Sequence, residues 1–72
     1  MEVTVKVRFN ASKERIEKFA SDRYLMYLPF EEDGDTAGIL ISLLSKYMGV
    51  PPGRIEFKRL EPRSNDKVFE VS

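Results

Sequence analysis

The sequence predicts an α+β fold. The expected form is a two-layer sandwich in which a four-stranded mixed sheet carries one short and one long helix on one face, in the order β-α-β-α-β-β. Three observations predict it. Both ends of the chain alternate apolar and polar residues with period two, as half-buried strands do. The stretch from Thr36 to Met48 repeats apolar residues at helical spacing. One strong helix cannot cover both faces of a sheet, so the economical solution leaves one face open. A chain of 72 residues makes a single domain, 1–72, near the lower size limit for folding on its own core.

The elements follow in order. In "VTVKVRFN", Val3, Val5, Val7 and Phe9 fall on one side and Thr4, Lys6 and Arg8 on the other, which reads as a strand. "ASKERIEKFAS" changes the period. Ser12 can cap, Ile16, Phe19 and Ala20 share a helical face, and Glu14 and Lys18 form a favourable i,i+4 pair, so a short helix is expected over about 13–20. A helix that short must dock its apolar stripe to persist. "RYLMYLPF" is a second strand that ends at Pro29, which has no ladder donor.

From Thr36 to Met48, Ala37, Leu40, Leu44, Tyr47 and Met48 recur at helical spacing, widened by Ile41 and Leu43. Gly49 suits the left-handed position after a helix, and Pro51-Pro52 prevent its continuation. Ile55 and Phe57 point inward from "RIEFKRL", "EPRSND" is a turn, and Phe69 and Val71 point inward from "KVFEVS". Where the strands flanking the long helix are parallel members of the sheet, the connection should be a right-handed crossover.

Composition excludes several kinds of chemistry. There is no Cys, hence no disulfide, thiolate metal site or Cys nucleophile, and no His, hence no usual general base and no Ser-His-Asp arrangement. No secretory leader is recognisable ahead of Val3 and no apolar run is long enough to span a bilayer, so a cytoplasmic protein without membrane contact is expected. Formal net charge is zero, but the distribution is uneven: basic residues lead up to Arg23 and again from Arg54 to Lys67, while the middle is acidic.

The acids of "FEEDGDTAG" need an account. Asp33 or Asp35 can accept hydrogen bonds from the unpaired N–H groups of the helix start, Gly34 can turn the chain with positive φ, and the remaining acids favour the positive end of the helix dipole. A calcium loop would need acids at alternate positions, a glycine and a late bidentate Glu, but here Gly34 lies between the two Asp and the next acid is Glu56. Capping uses every residue, and no metal or cofactor is expected.

Three pieces of the chain resemble the YggU-like family of small proteins of unassigned function. The first strand leads into Val7, Ala11, Lys13 and Ile16; the long helix opens at Asp33-Gly34 and closes at Met48-Gly49-Val50-Pro51; and the last hairpin carries Ser64, Lys67 and Val68. The resemblance covers nearly the whole chain and implies an α+β fold of two layers, with no reaction attached. The family's helix start usually reads Asp-Gly-Lys-Ala-Asn where this chain has Asp33-Gly34-Asp35-Thr36-Ala37. Its hairpin usually reads Gly-x-x-Ser-Arg-x-Lys, whereas Leu60 or Glu61 stands here in place of Gly and Asn65 in place of Arg. The element order also looks like a ubiquitin-like β-grasp. Against that, the first two strands lack a tight hairpin, and the chain ends Glu70-Val71-Ser72 without a Gly-Gly tail.

Function is expected on the face that the helices leave open. If Tyr24, Met26 and Leu28 face the helices, Leu25 and Tyr27 face away, joined by Val68 and bordered by Lys6, Arg8 and Lys58. The leading expectation is a non-catalytic binding or accessory module that takes a protein partner or a second copy of itself. The alternative is RNA or anion binding by basic hairpin and strand residues, with Arg59, Arg63, Ser64 and Lys67 as the anion contacts. RNA would want two or three exposed rings, and Tyr27 is the one good candidate. An enzyme ranks last, because no serine or lysine stands in a recognisable nucleophile setting.

Overall fold

The computed structural model describes residues 1–72. The strands are β1 (Glu2–Arg8), β2 (Arg15–Ala20), β3 (Arg23–Tyr27), β4 (Ile55–Leu60) and β5 (Lys67–Val71), with α1 (Thr36–Met48) between β3 and β4 and a short 3₁₀ turn at Pro52–Arg54. The strands form one sheet in the order β2-β3-β1-β5-β4. β1 pairs parallel to β3, and the β1–β5, β2–β3 and β4–β5 pairs are antiparallel. The fold is therefore α+β, with the helix on one face.

Two parts of the expected arrangement are corrected. The sheet has five strands rather than four, and there is one helix rather than two. Both differences come from the segment expected as a helix over 13–20, which is β2. Arg15, Ile16, Glu17 and Lys18 pair with Tyr27, Met26, Leu25 and Tyr24, and Ala20 pairs with Arg23 across the two-residue turn Ser21-Asp22. The helical preference of "KERIEK" amounts to tenths of a kcal/mol per pair, and a helix of that length is marginal alone. A hairpin with a ready partner strand outweighs it. Ser12 then caps nothing. Phe19 sits at a bulge, 60% exposed, instead of on a buried helical face.

The chain reaches β2 by crossing over the end of β3. The amides of Asn10 and Ala11 donate to the carbonyls of Phe30 and Leu28, and Leu28 N–H donates to Arg8. Asn10 takes a positive φ of 57° there, a conformation that Asn tolerates better than most residues. β3 is thereby threaded between β1 and β2, which the sequence order alone does not suggest.

The remaining elements match the expected pattern. Val3, Val5, Tyr24, Met26, Leu28, Ile55, Phe69 and Val71 meet Leu40 and Leu44 of α1 in one core. Val7 and Phe9 pack partly against it. β3 and β4, which flank the helix, run in the same direction but are separated by β1 and β5. The helix ends at Gly49 with φ 71°, where the Gly49 and Val50 amides both donate to the Ser45 carbonyl. Ser45 Oγ donates in turn to the Val50 carbonyl at 2.6 Å.

Five strands at about 4.8 Å spacing are about 19 Å wide, and a helix covers about 10 Å. One helix therefore leaves the rim of its own face bare. Ile16 on β2 is half-buried, and Phe57 on β4 is 43% exposed although its ring meets Phe69 edge-on at 5.7 Å. No helix is long and apolar enough to cross a membrane.

Candidate functional site

The helix-free face is built by strand alternation. With Val3, Val5 and Val7 turned to the helix, Thr4, Lys6 and Arg8 turn away. The register sets Lys6 beside Leu25 and Arg8 beside Tyr27, and on the far side of β3 it sets Glu17 beside Leu25 and Arg15 beside Tyr27. The expected pairing of basic residues with Leu25 and Tyr27 is thus present on β1 and β3. Both apolar residues are half-buried. The Arg15 guanidinium lies 4.5 Å from the Tyr27 ring centre and pairs with Glu17 at 3.1 Å. A cleft of about 240 Å³ adjoins this ring, lined by Ala11, Ser12, Lys13, Glu14, Arg15 and Tyr27.

The other half of the face is different. Glu2 accepts from Lys58 Nζ at 2.7 Å and from both terminal nitrogens of Arg59 at 3.1 and 3.2 Å. Glu70 accepts from Lys58 at 3.2 Å and from the Met1 amino group. The Arg59 hydrogen bonds, followed by that from Lys58, push the Glu2 carboxyl from 4.5 down to about 2. The Met1 amino group first and Lys58 second lower that of Glu70. Lys58 was expected at the rim of an interaction face, but its charge is committed to two carboxylates. Val68, expected as an outward apolar residue, is fully buried. It faces away from the helix, yet it lies on an interior strand between Thr4 and Arg59, with a neighbour on each side.

The anion contacts expected on the hairpin divide in the same way. Arg59 is bound to Glu2, with Glu61 a further 3.7 Å contact, and Arg63 stands exposed in the β4–β5 loop. Ser64 and Lys67 come together in a notch at the end of the sheet. Lys67, expected as an anion contact, is buried and pairs with Glu32 at 3.1 Å. Its inward place could have been found from the alternation of "KVFEV", which puts Lys67 on the same side as Phe69 and Val71.

The acidic segment splits into two structural roles. Asp33 Oδ1 accepts from the Asp35 N–H at 2.8 Å, and the buried Thr36 hydroxyl accepts from the Asp33 N–H at 3.0 Å. This reciprocal arrangement starts the helix. Asp35 holds the N-cap position without a capping hydrogen bond from its side chain, and the carboxylate that accepts is that of Asp33, two residues earlier. Gly34 does not adopt the positive φ expected of it; Gly49 is the glycine that does. Glu32 turns to Lys67, and no three acids gather closely enough to hold a metal ion.

Among known proteins, no family model matches the chain and no solved structure matches it.

Proposed function

We propose that the chain is a non-catalytic binding module that takes an acidic segment of a partner protein on the β2-β3-β1 half of its helix-free face. The observation that carries this reading is an unspent charge. Lys6, Arg8 and Arg23 form no ion pair, and they lie in register beside half-buried Leu25, half-buried Tyr27 and Thr4. Across β5 and β4 the basic residues Lys58 and Arg59 are already held by carboxylates. An acidic partner would gain ion pairs on the first half and would face filled pairs on the second. The apolar surface of Leu25 and the ring of Tyr27 supply the part of the contact that charge alone does not.

Protein is favoured over RNA because β1 and β3 present a single ring there, Tyr27, already stacked by Arg15, where base stacking wants a series of open ones. A hydroxyl nucleophile is not favoured: Ser45 and Ser72 donate to backbone carbonyls, and the chain has no His to serve as the usual base. The cytoplasm is the compartment that goes with this proposal. Kinship with the YggU-like family is likewise proposed, supported by the left-handed Gly49 cap within Met48-Gly49-Val50-Pro51 and by Ser64 and Lys67 meeting in one notch.

The test uses a fluorescent polyglutamate peptide and a single-stranded RNA of equal charge, each followed by anisotropy. The peptide should bind more tightly than the RNA and weaken as salt rises. Lys6→Glu with Arg8→Glu should abolish binding, and Leu25→Ser with Tyr27→Ser should weaken it without unfolding the chain. Tighter binding of RNA would move the reading to nucleic acid. Binding indifferent to Lys6 and Arg8 would end it.

A further inference from the structure

β1 outruns β5. Their pairing stops at Val5 opposite Lys67, while β1 continues to Arg8 on its pairing with β3. The gap is filled by loops rather than by a strand, and a notch of about 220 Å³ remains. Lys6, Phe9, Glu32, Ser64, Asp66 and Lys67 are among the residues lining it, two of them carboxylates. That volume is below the range of drug-sized pockets, about 300–1,000 Å³, so only a small ligand fits.

Lys67 is the unusual residue in this notch. It is 9% exposed, on the helix side of the sheet between Val5 and Leu60 in register, with its ammonium 5.8 Å from the Phe9 ring centre. An ammonium so placed needs a counter-charge, and its one ion pair is with Glu32. The Glu32 side chain is itself 57% exposed and belongs to the loop between β3 and α1. The pair therefore has one fixed member and one exposed member that can turn to water once another anion takes its place beside Lys67. Two further groups point to an anion. The Ser64 oxygen accepts the Asp66 N–H at 3.3 Å, so its own proton is left to donate. Lys6, from the helix-free side of β1, also lines the notch and has no ion-pair partner.

We infer that the notch is a binding site for a small oxyanion, with Lys67 as the cation that receives it and Glu32 as an internal counter-ion that the ligand displaces. The oxyanion is a phosphate or a small carboxylate, and both would use the same two donors, the Lys67 ammonium and the Ser64 hydroxyl. Glu32 then sets a threshold: the notch stays closed by its own acid until a competing anion is abundant enough to replace it. The inference shares only Lys6 with the proposed partner site on the helix-free face, and its test alters none of Lys6, Arg8, Leu25 and Tyr27.

The experiment titrates ¹⁵N-labelled full-length protein with inorganic phosphate in one arm and malonate in the other, at constant ionic strength, following backbone amides. Saturable shifts are expected at Ser64 to Lys67 and at Glu32. Glu32→Gln should tighten binding several-fold, the size set by losing an exposed ion pair. Lys67→Met should abolish the shifts, and Lys67→Arg should retain them. The tighter arm identifies which oxyanion the notch prefers. If Lys67→Met fails to fold, Glu32→Gln alone decides. No saturable shift in the wild type or in Glu32→Gln at millimolar anion, or equal affinity in the two, overturns the inference.

Discussion

The two faces of the sheet are held by different physics. On the covered face, Val3, Val5, Met26, Phe69, Leu40 and Leu44 are removed from water together, and each methylene counts for about 0.8 kcal/mol. On the helix-free face, the contacts are ion pairs among half-exposed side chains, where solvent screens most of the attraction. Stability therefore resides on one face, and the other can carry charge chosen for recognition. Within the second face the split repeats: Glu2, Lys58, Arg59 and Glu70 neutralise one another, while Lys6, Arg8 and Arg23 do not.

The comparison breaks most decisively at Leu44. Leu44→Ala should cost about 2–5 kcal/mol, a large share of the stability of so small a domain, measured by denaturant unfolding. A loss well under one kcal/mol would mean the covered face is not where stability resides. Gly49→Ala should come next, at about 1 kcal/mol, because a Cβ is disfavoured at φ 71°. Space is not the reason, since nothing lies near the site that Cβ would occupy. An unchanged Tm would show that the helix ends without needing that conformation.

On the helix-free face the effects should be small. Leu25→Ser with Tyr27→Ser gives up half-buried side chains and the Arg15 stacking on Tyr27, the stacking itself being about 0.5–1 kcal/mol at an exposed site. The chain should stay folded by circular dichroism. Unfolding would reassign both residues to the core and leave the binding proposal without a surface.

The smallest effect should be at Glu2, and pH sharpens it. Its folded carboxyl is depressed to about 2 from 4.5, so its contribution is complete above pH 4.5 and is lost as pH falls toward 2. Glu70, lowered in the same direction, adds to that acid limb. Glu2→Gln should lower Tm slightly at pH 7, where the contribution is complete, and the two chains should converge as pH falls toward 2, so that the variant's decline is shallower by that amount. An equally steep decline would show that the acid limb belongs to other carboxylates.

Local chemistry was enough to read most elements. The alternation of "VTVKV" and "RYLMYL" sets which side chains face inward whatever the neighbours, and Gly49 followed by Pro51-Pro52 ends a helix through backbone sterics alone. The class, the long helix and the inward residues of four strands were therefore determined by the sequence itself.

What the tertiary structure decided is the fate of residues whose local preferences are weak or ambiguous. "KERIEKFA" carries helix-forming residues and an i,i+4 pair, but those preferences are small beside a cross-strand partner, so Arg23–Tyr27 made it a strand. Whether Lys58 was free or spent depended on Glu2 and Glu70, which lie on other strands. Val68 was hidden by residues on both flanking strands, and Lys67 was paired through a loop more than thirty positions away in the chain. Charge pairing and burial are properties of which strands become neighbours. The order β2-β3-β1-β5-β4, with β3 threaded between β1 and β2, exists only once the chain has folded.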